Sequence, residues 1–463
     1  MNEIKNFIKT HKLEIIIFAV ALVVRIFLFY INLDANNGDF DKTIYGSDWY
    51  YEVSQNLYHG NGFSIDGLSP SPIHVPLYPL FLALSLFLFN GYIFAVVMQI
   101  IIGAFIPILA LRLSKKIIDS DKISKFVGFF IAIEPNFVFF SFIFFTETLF
   151  IFLFLLACLV FMEYIENLNI KYLIIFSIIL GASSLIKTVV QFYPIFLIPV
   201  MWWFFRKRIG LKKTFLHIGL FLSIFVVVLS PWLYRNYKVF GVPGMTIMPS
   251  LNLYVTLVPS VLSIENGVSF NEARKLFISD RNIDVSKLTV HTAPEFNKEA
   301  FDVLKKYPLS LLKVSAINVF TFFTHDGMLS VLQYAGFTPK ESLSKPAITL
   351  LMDTPKEFLK TVWVHVKSPF VLVLLMRIFW GIVTLMFLFG IYLLWHKKKM
   401  TAPVVFALVT VLYFVVTTPS NGLTVNSRFR MPVNPIILSV ALYPLIGFIE
   451  STNKDENENH IHS

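Results

Sequence analysis

Long apolar segments recur along this chain, and they constrain its fold more than any other feature of the sequence. The first, residues 13–31, is long enough to cross a bilayer, for which a helix needs about 20 apolar residues. No small-residue cleavage site follows it, so we interpret it as a retained helix. Hydrophobic residues make up 56% of the 463 residues, and a soluble domain would have no interior large enough to hide them. We therefore predict an all-α polytopic membrane protein.

The net charge of +10 could indicate a nucleic-acid partner, but the positions of the basic residues argue against one. They lie in four short clusters between apolar segments: Lys5, Lys9 and Lys12; Arg112, Lys115, Lys116, Lys122 and Lys125; Arg206, Lys207, Arg208, Lys212 and Lys213; and Lys397, Lys398 and Lys399. Short basic loops mark the cytoplasmic side of a membrane protein. We predict no nucleic-acid partner, a multi-pass protein of the plasma membrane, and both termini in the cytoplasm.

When all four clusters lie in the cytoplasm, the apolar segments pair into about ten spans. Their predicted bounds are residues 13–31, 93–111, 126–145, 148–165, 172–187, 190–205, 214–233, 368–395, 402–418 and 433–449. Two further apolar segments, residues 75–89 and 309–323, do not fit as simple spans, because crossing would bring a basic cluster or a polar stretch to the wrong side. We expect these two to be interfacial or re-entrant, which gives about 10–12 transmembrane helices in all.

This threading divides the chain into four predicted parts. Residues 1–233 form an N-terminal transmembrane catalytic module that contains a large first external loop, residues 32–75. Residues 234–366 form a small external cap that includes an interfacial or re-entrant helix. Residues 367–450 supply the C-terminal transmembrane helices, and the polar tail, residues 451–463, is predicted to be disordered in the cytoplasm.

Polar residues from several segments meet on the predicted outer face. The stretch "YGSDWYYEVSQNLYHGNGF", residues 45–63, places Asp48 in an aromatic loop. Four further segments lie at the same level: "FFTETLF" with Glu147, the end of the helix that carries Lys187, "SPWLYRNYKVFG" with Arg235 and Asn236, and "NSRFRMPVNP" with Arg428 and Arg430. Carboxylates and cations beside the lipid headgroups suit an enzyme that takes a lipid phosphate and transfers its cargo to an acceptor outside the membrane.

The chemistry of such a transfer needs two kinds of group. A sugar bound to a polyprenyl phosphate departs from an oxygen that is already a good leaving group, so cations that hold the phosphate matter more than a strong acid. The acceptor hydroxyl or amine must lose a proton as it attacks, and a positioned carboxylate that accepts it contributes about 10²–10⁴-fold in rate. An aspartate in a wet loop and several cations at headgroup depth form the minimal set.

Four motifs resemble those of a known family. "GSDWYYEVSQNLYHGNGF" followed by "HVPLYPLFLAL" resembles the first external loop of the dolichyl-phosphate-mannose–protein mannosyltransferase family, which includes bacterial relatives that move aminoarabinose to lipid A. "FFTETLFIFLFLLAC", "SPWLYRNYKVFG" and "SRFRMPVNP" resemble further elements in the expected order. The resemblance implies a GT-C-type fold. It also implies that Asp48 is the catalytic aspartate and that Glu147 is the second acid of the external face.

The remaining predicted roles each have a structural alternative. We assign Lys187, Arg235, Asn236, Arg428 and Arg430 to the donor phosphate, and Tyr51 and His74 to substrate binding. Lys187, like Arg25, could instead extend toward the headgroups, and Arg235 with Asn236 could anchor an interface. Glu147 could simply favour a helix N-terminus, and His74 could be a structural loop histidine. Arg428 and Arg430 would point the same way if their segment is extended.

We therefore predict a membrane glycosyltransferase that moves a sugar from a polyprenyl-phosphate donor to a protein, lipid or glycan acceptor on the external face of the bilayer. Two alternatives remain open: a transporter or flippase of lipid-linked glycans, and a polymerase or ligase of surface polysaccharide. A transporter commonly has internal repeats and polar residues near the membrane midplane, and neither is visible here. No cofactor and no metal site is predicted, since no second histidine stands at ligand spacing from His74.

Overall fold

The computed structural model describes residues 9–279, 289–337, 354–366 and 371–446, and the predicted tail, residues 451–463, lies outside these ranges. Within them the chain is helical and contains no β-strand beyond a single bridge between Ser64 and Pro70. The α-helices are α1 (Lys12–Ala35), α2 (Phe40–Ile44), α3 (Tyr50–Tyr58), α4 (Leu77–Phe89), α5 (Ile93–Ile117), α6 (Asp121–Ile133), α7 (Pro135–Phe139), α8 (Glu147–Asn167), α9 (Ile170–Ile186), α10 (Tyr193–Ile209), α11 (Leu211–Phe240), α12 (Met248–Asn252), α13 (Val258–Asn266), α14 (Phe270–Ser279), α15 (Ala293–Lys306), α16 (Pro308–Thr324), α17 (Met328–Tyr334), α18 (Pro355–Val366), α19 (Val371–His396), α20 (Ala402–Thr417) and α21 (Asn434–Leu442).

Seven helices in the described part are long and apolar enough to cross a membrane. They are Lys12–Ala35, Ile93–Ile117, Glu147–Asn167, Thr188–Ile209, Leu211–Phe240, Val371–His396 and Ala402–Thr424. Shorter apolar helices accompany them at Leu77–Phe89, Ile170–Ile186, Pro308–Thr324 and Met431–Leu445. The all-α polytopic membrane class predicted from the sequence is therefore confirmed. The segment predicted to be interfacial, residues 75–89, forms the 13-residue helix α4 after Pro76.

Three of the four basic clusters lie together at one end of the helices. Arg112 at the end of α5 donates to Glu14 of α1 at 2.9 Å. Lys116 contacts Glu166 of α8 at 2.6 Å, and Arg208 at the end of α10 donates to the backbone oxygen of the same Glu166 at 3.1 Å. The opposite ends of α8 and α9 therefore lie on the other side of the helical bundle, and these ends carry Glu147 and Lys187.

The predicted span 126–145 is not one continuous helix. α6 ends at Ile133, because Glu134 has an extended backbone (φ −62°, ψ 124°) before Pro135, a residue that disfavours helical geometry at the position before it. The Glu134 carboxylate then accepts from the backbone N–H of Phe137 and begins the short α7. Arg25 is buried at this break and donates to the backbone oxygen of Ala132 at 3.1 Å, so it does not extend toward the headgroups as one of our alternatives held.

The predicted boundary at residue 233 falls inside α11, which continues to Phe240. Pro231 does not end the helix. The terminating residue is Gly241, whose φ of +70° suits glycine. Beyond it, α12 to α15 enclose a separate apolar core around Tyr254, Phe277 and Ala300. This small unit corresponds to the first part of the predicted external cap, and we call it the cap helices.

The chain at the start of the cap helices contacts both loops that carry candidate site residues. The backbone N–H of Ile247 donates to the carbonyl of Pro72 at 3.0 Å, and the Thr246 hydroxyl donates to the carbonyl of Ile73. A few turns later, the Ser260 hydroxyl accepts from the backbone N–H of Leu423 at 2.8 Å. The first external loop and the loop before α21 are thus held by one stretch of chain.

Candidate active site

Asp48 lies in the turn between α2 and α3, and its backbone is fixed from a distant part of the loop. The imidazole Nε2 of His74 donates to the carbonyl oxygen of Asp48 at 2.6 Å. The next residue, Trp49, has a φ of +57°, which is uncommon outside glycine and is often found at functional sites. The Asp48 side chain is 38% exposed, so its carboxylate is both held in place and accessible to a substrate.

Four charged side chains from separate segments form one connected group, which we call the charge quartet. Arg428 donates from Nη2 to Oδ2 of Asp48 at 3.0 Å and from Nε to Oε1 of Glu147 at 2.7 Å. Lys187 donates to the same Oε1 of Glu147 at 2.8 Å. With two carboxylates and two cations, the charge quartet is formally neutral. Residues separated by up to 380 positions in the chain therefore meet at one point.

Glu147 is the buried member of the charge quartet. It begins α8, its side chain is 1% exposed, and both cations contact its Oε1 atom. Its Oε2 atom is buried and makes no hydrogen bond within the described part of the protein. A carboxylate in this position balances the charge of two partly buried cations, and the cations in turn offset the cost of burying the carboxylate.

Arg428 retains donors for a further anion. Its guanidinium lies 4.3 Å from the Phe145 ring centroid, and its side chain is 26% exposed. Among the described residues, none accepts from Nη1, whereas Nε and Nη2 are engaged. Burial tends to lower the pKa of Arg428, but the ion pairs with Glu147 and Asp48 outweigh it and raise that pKa, so the group stays charged. Lys187 likewise uses one of its three ammonium donors on Glu147.

Arg430 does not join the charge quartet. Residues Ser427–Phe429 and Met431–Val433 are 3₁₀ turns rather than extended chain, so the expectation that Arg428 and Arg430 point the same way is wrong. Arg430 is 1% exposed and lies 3.7 Å from the Trp380 ring centroid. Its donors are used by Asn434 Oδ1 and by the backbone oxygens of Phe322, Phe323 and His325 at the end of α16. Arg430 therefore satisfies backbone carbonyl groups at the C-terminal end of α16.

Arg235 and Asn236 also lie apart from the charge quartet, near the end of α11. Arg235 donates to Asn236 Oδ1 at 2.8 Å and lies 4.8 Å from the Trp232 ring centroid. Asn236 donates to the backbone oxygen of Gly244, and Arg235 lies 3.5 Å from the backbone oxygen of Ser71. Their contacts connect α11, the start of the cap helices and the first external loop.

The two residues predicted to bind substrate have structural contacts. The Tyr51 ring lies 5.0 Å from that of Tyr92 and 6.0 Å from that of Tyr45, within the aromatic packing of the first external loop. Burial lowers the pKa of His74, so the imidazole is neutral near pH 7 and donates through Nε2 to Asp48. His74 thus contacts the backbone that carries the candidate base.

A buried polar cluster next to Arg428 was not predicted from the sequence. The Ser427 hydroxyl donates to Asn136 Oδ1, and the Ser427 backbone N–H donates to His325 Nδ1. The three residues come from three different segments of the chain. Burial lowers the pKa of His325 to about 4, so its Nδ1 remains an acceptor, as its contact with the backbone N–H of Ser427 requires. The only signal in the sequence is the break at Glu134-Pro135, which precedes Asn136. Within the described residues, no group of three or more His, Cys, Asp or Glu is arranged to hold a metal ion.

Part of the chain matches a known protein family. Residues 72–234 match the family model of dolichyl-phosphate-mannose-protein mannosyltransferase. This confirms the resemblance drawn from the motifs, over less than half of the chain. His74, Glu147 and Lys187 lie within the matched residues. Asp48 and Arg428 lie outside them, but Asp48 is bound by His74 and Arg428 by Glu147.

Two crystal structures of the Archaeoglobus fulgidus oligosaccharyltransferase align with most of this chain. The apo form is 14% identical with a TM-score of 0.49, and the match covers 95% of this chain and 52% of that one. The complex with Zn and sulfate is 12% identical with a TM-score of 0.48, and the match covers 92% and 49%. This chain thus spans about half the length of the structures it matches. No curated protein sequence matches it.

Proposed function

We propose that this protein is a membrane glycosyltransferase of the GT-C type that moves a sugar from a polyprenyl-phosphate donor to an acceptor on the external face of the membrane. The family match over residues 72–234 supports the class of reaction. The observation that carries the proposal is the charge quartet, in which an accessible aspartate lies 3.0 Å from an arginine whose Nη1 atom has no acceptor among the described residues. A base and an anion-binding group are the two parts that this transfer needs.

Arg428 and Lys187 bind the donor phosphate. Arg428 offers Nη1 and the remaining N–H of Nη2, and a guanidinium fork matches two phosphate oxygens. Lys187 adds a second positive charge from the other side of Glu147. The two cations stabilise the negative charge that grows on the phosphate as the sugar leaves, and Glu147 keeps them in place while the site is empty.

Asp48 is the general base. The acceptor oxygen or nitrogen attacks the anomeric carbon, the bond between that carbon and the phosphate oxygen breaks, and the phosphate leaves with the electron pair. The acceptor proton passes to Asp48, whose Oδ1 atom has no hydrogen-bond partner among the described residues while Oδ2 faces Arg428. His74 holds the Asp48 backbone so that the carboxylate keeps its direction during the transfer.

The orientation in the membrane follows from the distribution of charge. Three basic clusters share one end of the bundle, and the charge quartet includes residues from the opposite ends of α8 and α9. With the basic end in the cytoplasm, the reaction takes place at the outer surface of the plasma membrane. The donor is then a lipid of the outer leaflet, and the acceptor is a protein, lipid or glycan outside.

The test is to incubate the purified protein in lipid nanodiscs with polyprenyl-phosphate monosaccharides and an acceptor mixture, and to measure release of free polyprenyl phosphate. We expect release by the wild type and a loss of about tenfold or more in Arg428→Gln, because charge-assisted contacts to phosphate disappear. Transbilayer movement of the intact lipid in reconstituted vesicles, without release, would indicate a flippase instead. Release from lipid-linked oligosaccharides only would indicate a polymerase or ligase.

A further inference from the structure

Asn136 occupies a buried junction between three segments, next to the turn that carries Arg428. It is 2% exposed, and its amide nitrogen donates to Glu134 Oε1 and to the backbone oxygen of Asp326, each at 2.8 Å. Its amide oxygen accepts from the hydroxyl of Ser427 at 3.0 Å. The side chain therefore connects the break after α6, the turn after α16 and the loop before α21.

Ser427 is the residue immediately before Arg428, and its own position is fixed twice. Its hydroxyl donates to Asn136, and its backbone N–H donates to Nδ1 of His325 at 3.3 Å. Its 3% exposure leaves the hydroxyl in contact with protein atoms rather than with water. The backbone from which the Arg428 side chain leaves is thus set by two buried partners.

The fit at this junction is close. Gly327 has a φ of +72°, and a Cβ atom added there would overlap Asn136 Oδ1 and Ser427 Oγ. The backbone of the turn after α16 therefore packs directly against the Asn136–Ser427 hydrogen bond. Such a tightly packed junction allows little change in the direction of the neighbouring residue.

The contacts of Arg428 depend on the direction in which its side chain leaves the backbone. Its Nε and Nη2 atoms must reach Glu147 and Asp48 at the same time, at 2.7 and 3.0 Å. A planar guanidinium with two such contacts leaves one remaining edge, with Nη1, for a third anion. A small rotation of the Arg428 backbone would move that edge away from the phosphate.

We propose that Asn136 and Ser427 are positioning residues that orient Arg428 for the donor phosphate. This inference rests on the proposed function, since it takes Arg428 as the phosphate-binding group. Neither side chain touches the substrate, because both are buried beneath Arg428. They act through the backbone of the turn Ser427–Phe429, which carries Arg428 in its middle.

The test measures phosphate recognition without knowledge of the sugar or the acceptor. Binding of a long-chain polyprenyl phosphate and of the polyprenol of the same length is measured for each variant in nanodiscs. The ratio of the two Kd values isolates the contribution of the phosphate group.

Ser427→Ala removes only the hydroxyl contact, whereas Asn136→Ala also removes the contacts to Glu134 and Asp326, so Ser427→Ala is the decisive variant. Ser177→Ala serves as the matched control, because Ser177 is also buried but donates only within its own helix.

We expect Ser427→Ala to weaken polyprenyl phosphate binding by about threefold to tenfold while polyprenol binding and the melting temperature stay near wild type. In the Arg428→Gln background the same substitution should change the phosphate Kd by no more than about twofold, since its effect passes through Arg428. A loss that affects both ligands equally, or that persists in Arg428→Gln, overturns the positioning role and leaves the proposed function intact. Unchanged phosphate binding in Arg428→Gln itself overturns both.

Discussion

Two arginines that stand two positions apart in the chain illustrate how little of a side chain's role can be read from its type. Arg428 is partly exposed and donates to two carboxylates, whereas Arg430 is buried and donates to backbone oxygens. The sequence predicted both at one site, because an extended segment would direct them the same way. The 3₁₀ turns at Ser427–Phe429 and Met431–Val433 separate them instead. Nothing in the local sequence distinguishes a phosphate-binding arginine from one that closes a distant helix.

This difference predicts opposite phenotypes for the same substitution. Arg430→Gln should destabilise the protein by about 2 kcal/mol or more, because buried backbone oxygens at the end of α16 lose their donor. Arg428→Gln should change stability less, since Lys187 still pairs with the buried Glu147, and should weaken polyprenyl phosphate binding. The measurement is the melting temperature and the Kd for polyprenyl phosphate of both variants in nanodiscs. Equal melting temperatures for both variants would contradict the assignment of Arg430 as structural.

At the scale of elements, the sequence predicted where helices form but not where one of them breaks. Apolar length was sufficient to find α1, α5, α8, α10, α11, α19 and α20. Apolar length also predicted α6 and α7 as one span, although Pro135 stands between them. The hydrophobic pattern does not indicate in which direction the chain continues after a break. The break directs Asn136 toward the loop of Arg428, a contact between residues 291 positions apart. Such contacts depend on tertiary packing and cannot be found from local propensity.

The turn between α16 and α17 provides an element-scale prediction. Gly327→Ala should destabilise the protein and reduce donor binding together, because the added Cβ is strained at a φ of +72° and overlaps Asn136 and Ser427. Gly336→Ala is the matched control, since that glycine also has a positive φ but its Cβ would meet only Ala35 at 3.4 Å. Comparable melting temperature and donor binding in the two variants would show that the junction beneath Arg428 is not closely fitted.

At the scale of the whole molecule, the sequence predicted the distribution of charge better than the geometry of the site. Three of the four basic clusters lie at one end, as their positions between apolar segments indicated. The candidate site was predicted only in part. Asp48, Glu147, Lys187 and Arg428 come together, whereas Arg235, Asn236 and Arg430 have other partners. Topology rules predict on which side of the membrane a residue lies, but they do not predict which side chains are in contact.

The orientation itself can be measured. Cys158 is the one cysteine of the sequence and is buried, so single cysteines can be introduced with little background labelling. A cysteine in place of the exposed Asn61 should react with an impermeant thiol reagent added to intact cells. A cysteine in place of the exposed Lys207 should react only after the membrane is permeabilised. The reverse pattern would place the charge quartet on the cytoplasmic side and contradict the external reaction.

The proposed role of Asp48 as the general base is tested by the substitution Asp48→Asn. The amide oxygen of asparagine can still accept from Arg428, so the fold and the donor site are preserved while the base is lost. We predict that turnover falls by roughly 10²-fold or more, with polyprenyl phosphate binding and melting temperature close to wild type. Asp66→Asn is the matched control in the same loop, because Asp66 serves only as an acceptor for loop N–H and hydroxyl groups, and its turnover should stay within a few-fold of wild type. Normal turnover in Asp48→Asn would contradict the account and make Glu147 the next candidate for the base.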